Sequence, residues 1–160
     1  MKSPNEPTGK DDDMTAAKTT SYEGFTEAER EAMKDRAREL KATRRGKGAK
    51  KDTEPEVLAK IAEMSEADRV LAERIHALVE QNAPELTAKL WYGMPAYAKD
   101  GKVLCFFQPA AKFGARYATF GFNDIATLDE GTLWPTSFAV TALTAADEER
   151  LAALLRKAVA

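Results

Sequence analysis

The chain is poor in the residues that build redox and zinc chemistry. It holds one cysteine, Cys105, and one histidine, His76, in 160 positions. A single thiol cannot close an internal disulfide, which excludes a secreted disulfide scaffold and makes a reducing cytoplasm the expected compartment. One imidazole beside one thiol is too few soft ligands for a structural zinc site. No apolar run approaches the ~20 residues of a membrane helix, so no membrane association is expected. The polar, acidic opening also lacks the basic-then-apolar plan of a secretory signal. A glycine-rich phosphate loop, HExxH, CxxC and the nucleophile elbow are all missing. An excess of one charge is missing too, since 24 basic and 26 acidic side chains leave a net charge of −2. That balance favours neither a nucleic-acid binder nor an acidic tail. The chain is expected to bind rather than to catalyse, because no nucleophile–base pair is readable in it.

What is present is unevenly distributed. Of the first 52 residues 13 are apolar, against 57 of the remaining 108, and 11 of the 13 aromatics lie between Trp91 and Phe138. A segment of that apolar content can bury about two-thirds of its unfolded surface and support one core. The predicted organisation is therefore a charged, mobile N-terminal arm over 1–52 and a domain over 53–160. Within the arm, 1–23 reads as disordered. Thr26 and Glu29 form a capping box that opens a marginal helix over about 26–41, sparse in apolar residues and in need of a partner surface. Nine basic residues then crowd together: Lys34, Arg36, Arg38, Lys41, Arg44, Arg45, Lys47, Lys50 and Lys51. Clustered cations of this kind can bind nucleic-acid phosphates. No aromatic interleaves with them, however, and solvation of a linker is the commoner use of such a run.

The domain reads as helices, then strands, then a helix. Thr53 with Glu56, and Ser65 with Asp68, predict two N-terminal helices, the second ending near Asn82 ahead of Pro84. Trp91–Ala98, Lys102–Gln108 and Ala115–Phe122 read as strands, Asp100-Gly101 as a hairpin turn, and Ser137–Val140 as a fourth, shorter strand. Thr144 with Asp147 caps a last helix, acidic at its start and basic at its end as the helix dipole favours. Without βαβ alternation, this order predicts an α+β fold with an antiparallel sheet of three to four strands.

The candidate binding residues fall in two places. Trp91, Tyr92, Met94, Pro95 and Tyr97 lie on one aromatic stretch, joined by Lys112, Arg116 and Tyr117. Basic groups beside aromatic faces suit a small anionic or aromatic ligand, or a partner chain. Gly93 and Pro95 around Met94 predict a bent or bulged strand near a sheet edge, able to wall a cleft. The second place is the acidic helix pair, where Glu63, Glu66 and Asp68 converge at a helix junction within about two turns. Hard cations take oxygen ligands of this sort, although the same three residues fit helix capping. His76 sits beside the apolar stripe and reads as a helix-surface or core-edge residue, and Cys105 as a small buried hydrophobe.

The stretch Lys89-Leu-Trp-Tyr-Gly-Met-Pro-Ala-Tyr97, with Gly101-Lys-Val-Leu-Cys-Phe-Phe107, resembles the YdhG-like family of domains of unknown function. Tyr117-Ala-Thr-Phe-Gly-Phe122, Trp134-Pro-Thr-Ser-Phe138 and Ala72-Glu-Arg-Ile-His76 resemble it too, so the likeness spans about residues 54–158. The resemblance implies a compact α+β fold and brings no catalytic residues. One branch of the family is described as frataxin-like intracellular iron chaperones, which implies iron as a possible cargo. Three readings stay open: an iron chaperone, a module for a small anionic or aromatic ligand or a protein partner, and a nucleic-acid-associated protein acting through the basic run.

Overall fold

Three of the four capping signals open their helices through the bonds their spacing implies. In the computed structural model, which describes residues 24–45 and 53–160, Thr26 Oγ1 accepts the Glu29 N–H at 3.1 Å. Glu29 Oε2 accepts the Thr26 N–H in return, also at 3.1 Å, and α1 (Glu27–Arg45) follows. The expectations for 1–23 and for the end of the basic run, 46–52, lie outside the described residues.

The exception is Thr53, before α2 (Glu54–Ala62). Its side chain makes no cap; the hydroxyl donates instead to the Ala88 carbonyl of the sheet. The predicted box with Glu56 is therefore replaced by a tie that pins the start of α2 to a strand. At α3 (Glu66–Asn82), Ser65 Oγ accepts the Asp68 N–H at 3.4 Å. Ala83 rather than Asn82 closes that helix, and Asn82 turns its amide N–H back to the Leu78 carbonyl. The Thr144–Asp147 box opens α4 (Ala145–Ala158) with both reciprocal bonds present.

The sheet has five strands where three to four were expected: β1 (Thr87–Trp91), β2 (Met94–Lys99), β3 (Lys102–Gln108), β4 (Ala118–Phe122) and β5 (Ser137–Val140). Each pairs antiparallel with the next in the order β1-β2-β3-β4-β5. The added strand arises because the run Trp91–Ala98 breaks at Tyr92-Gly93. Both residues have positive φ, 54° and 74°, which closes a two-residue hairpin between Trp91 and Met94. Asp100 and Gly101, at 51° and 81°, close the predicted hairpin in the same way.

The expected irregularity falls in β2, next to the edge strand β1, although not at Met94. β2 lies inside the sheet, and Pro95 pairs with Leu90 just before the β2–β3 ladder begins at Ala96, where its missing N–H breaks no bond of that ladder. The irregularity falls later, between Tyr97 and Ala98.

Side chains from α2, α3, α4 and the sheet meet in one core cluster, which includes Val57, Ile75, Tyr97, Cys105, Phe107, Phe120 and Leu155. Each large apolar side chain so buried contributes roughly 1.5–3 kcal/mol. α1 lies over the β1–β2 hairpin and a short 3₁₀ turn (Ala111–Phe113), and among its described side chains only Ala32 is buried.

Candidate metal centre

His76 belongs to the buried side of α3, four residues after Ala72, and is 7% exposed. An imidazole placed there must find partners for both nitrogens. Nδ1 lies 2.9 Å from the Tyr97 hydroxyl of β2. Nε2 lies 3.0 Å from Glu54 Oε1 and 3.2 Å from Glu80 Oε1. Glu80 comes from the same helix, one turn on, where i and i+4 side chains share a face. Glu54 comes from the first residue of α2, held there by the Thr53–Ala88 tie. One ligand atom from each of Glu54, His76 and Glu80 thus lies within 4.8 Å of the others. A small pocket of about 180 Å³ opens on the group, with Val79, Pro84 and Leu86 among its walls.

The two carboxyl groups push each other's titration apart. The hydrogen bond from Glu80 holds Glu54 below the ordinary carboxylate range, and His76 adds to this. The same bond, followed by burial, raises Glu80. Two carboxyl groups so close titrate in separate steps, Glu54 before Glu80. Beneath them, burial pushes the Tyr97 hydroxyl well above the ordinary phenol range, so it remains protonated. A phenol can donate to Nδ1 or accept from it. Tyr97 therefore supports either imidazole tautomer, including the one that frees the Nε2 lone pair for a cation.

Two carboxylates and an imidazole form a donor set suited to Fe(II), Mn(II) or Zn(II). The side chains of Glu54 and Glu80 are 41% and 56% exposed while that of His76 is 9% exposed, so the site is anchored on its inner side and open on its outer one. The sequence contained part of this signal in the His76–Glu80 spacing of four. Glu54, 22 positions away from His76, is joined only by the fold.

The junction triad behaves differently. Asp68 is buried, and its Oδ1 and Oδ2 accept the backbone N–H groups of Ala110 and Ala111 at 3.1 and 2.9 Å. Ser65 Oγ donates to Oδ2 as well. The carboxylate thus ties the start of α3 to the 3₁₀ turn. Glu63 closes α2 and Glu66 begins α3, both exposed.

The aromatic candidates divide. Met94, Pro95 and Tyr97 are buried, with Tyr97 in the His76 cluster. Trp91 and Tyr92 are half-buried, with the Trp91 ring centroid 5.2 Å from those of Tyr92 and Phe106. Lys112 reaches the Tyr92 carbonyl, whereas Arg116 and Tyr117 are exposed and stack on each other at 5.7 Å. Of the basic run, Arg36 and Arg38 lie 3.5 Å from Glu39 and Asp35. Lys47, Lys50 and Lys51 lie outside the described residues. No described helix is long and apolar enough to cross a membrane. Compared with protein-family models, curated proteins and solved structures, the chain matches none.

Proposed function

We propose that this chain is a small cytoplasmic binding protein that carries a divalent cation, ferrous iron first, at Glu54, His76 and Glu80. The observation that supports it is the convergence of two carboxylates and one imidazole within 4.8 Å. Ligand atoms about 2.0–2.2 Å from a metal lie within about 4.4 Å of each other, so a small inward movement of the carboxylates completes the site. Three protein ligands leave positions for water, through which a receiving ligand set can reach the cation, as suits a carrier. The Tyr97–Nδ1 contact is the outer-shell support that metal-binding imidazoles commonly have. The resemblance to the YdhG-like family, with its iron-chaperone branch, points to the same cargo. The cation comes to the His76 cluster in this reading, rather than to the Glu63–Glu66–Asp68 junction.

Anaerobic calorimetric titration with ferrous iron separates the two places. Wild type and a Glu63→Gln/Glu66→Gln variant should release similar heats. Glu80→Gln should lose at least tenfold in affinity, and Tyr97→Phe about tenfold, the usual cost of removing an outer-shell partner. Equal heats from wild type and Glu80→Gln, or no heat from wild type, would remove the proposal.

A further inference from the structure

A second polar site lies at the β1–β2 hairpin. Its floor is backbone. Tyr92 and Gly93, both left-handed, direct successive N–H groups to the same side, and these bond one carboxylate in parallel. Tyr92 N–H donates to Glu39 Oε2 at 3.0 Å, and Gly93 N–H donates to Glu39 Oε1 at 2.9 Å. Consecutive amides converging in this way form an anion-binding concavity. Two ammonium groups stand beside it, Lys112 Nζ at 3.3 Å and Lys60 Nζ at 3.9 Å from Asp35 Oδ2. Gly93 permits the approach, because a Cβ at that position would lie 2.3 Å from both Asp35 Oδ2 and Lys112 Nζ. A cleft of about 600 Å³ runs on from the hairpin toward the α2–α3 junction, bounded by Met64 and Pro109.

Both carboxylates that fill this place belong to α1, and the described residues of α1 bury little apolar surface. Ala32 is buried, while Phe25, Met33 and Leu40 are exposed. The contacts that hold α1 include the Glu39 bonds to the two amides and the Asp35 pairs with Lys60 and Lys112, which an oxyanion in the same place would replace. We propose that the Tyr92–Gly93 amides, Lys60 and Lys112 form a binding site for a phosphate-class oxyanion, and that Glu39 and Asp35 of α1 occupy it as an internal stand-in. α1 then acts as a removable cover, and anion binding and α1 release are linked. A tetrahedral oxyanion offers enough oxygens to take both amides and both ammonium groups at once, which neither carboxylate does alone. The site shares no residue with the Glu54–His76–Glu80 group.

The test follows the Tyr92 and Gly93 amide resonances of the full chain during titration with inorganic phosphate at constant ionic strength. Both resonances should shift saturably in wild type. An Asp35→Asn/Glu39→Gln variant, with its stand-in neutralised, should bind phosphate about tenfold more tightly, the gain expected if α1 covers the site in about nine molecules of ten. Lys112→Gln in that background should weaken binding again while leaving the hairpin resonances dispersed. Sodium chloride producing the same shifts would reduce the effect to screening and overturn the proposal. An unchanged affinity in the Asp35→Asn/Glu39→Gln variant would also overturn it, leaving α1 as a fixed structural element.

Discussion

At the scale of single residues, the charged groups that matter are those the fold has drawn out of water. Asp68 and His76 are the polar side chains buried among the described residues, and each is engaged on every side. Asp68 accepts from two backbone amides and a hydroxyl. Removing it strands the Ala110 and Ala111 N–H groups where water reaches them poorly. Hydrogen bonds to a charged group contribute about 1.5–3 kcal/mol each, and unsatisfied donors cost a similar amount. Asp68→Ala should therefore lower stability by about 3 kcal/mol, read as a fall on the order of 10 °C in the thermal midpoint. Its affinity for ferrous iron, measured below that midpoint, should stay at the wild-type value. A midpoint shift under 2 °C would mean that the 3₁₀ turn does not depend on this carboxylate. His76 shows how a residue's role is set by its surroundings. Its sequence neighbours Ile75 and Ala77 read as an apolar context, whereas the imidazole lies against Tyr97 and two acids from separate helices.

At the scale of elements, the helices were readable because their signals are local. A capping box spans four residues, and three of the four expected boundaries rest on the contacts their spacing implies. Thr53 departs because a stronger partner, the Ala88 carbonyl, is supplied by a strand 35 positions away. The hairpin at Tyr92-Gly93 was missed for a related reason. A tyrosine at positive φ carries a steric cost that a propensity reading assigns to Asn, Asp or Gly. The continuous run of Trp, Tyr, Met and Tyr around it reads as one strand. What offsets the cost is contact: Trp91 meets the Tyr92 ring edge-on, and the Arg36 guanidinium lies 5.6 Å above it. The cap of α4 gives an element-level pH dependence. Bonds from the Thr144 backbone and side chain hold Asp147 below its ordinary value. A carboxyl depressed by folding stabilises above its unfolded pKa, and that contribution is lost as pH falls through the folded pKa. Asp147→Ala should thus be less stable than wild type at neutral pH, and the two midpoints should converge on acidification to about pH 2, below the usual carboxylate range. A gap that persists at low pH would locate the effect in helix propensity rather than in the charge.

At the scale of the whole molecule, the fold class followed from element order, since helices grouped before and after a run of strands can pack only as α+β layers. The sites did not follow, because both are assembled across the chain. The cation group joins the start of α2, the second half of α3 and β2, and the anion group joins α1, α2, the hairpin and the 3₁₀ turn. The relation of α1 to the rest decides how the molecule works. Among the described residues, the core cluster contains none before Val57, so the apolar core described here is built by 53–160. Hydrogen bonds from Tyr92 and Gly93 to Glu39 would pass to water if α1 were absent, and the half-buried ion pairs of Asp35 with Lys60 and Lys112 would be exchanged for hydration of each charge. A chain lacking residues 1–52 should therefore unfold cooperatively, with a midpoint no more than ~5 °C below that of the full chain, the scale of about 1 kcal/mol for this size. Calorimetry on both chains checks this. A larger fall, or loss of the cooperative transition, would make α1 part of the folding unit, and a helix so integrated could not serve as a cover that an anion lifts.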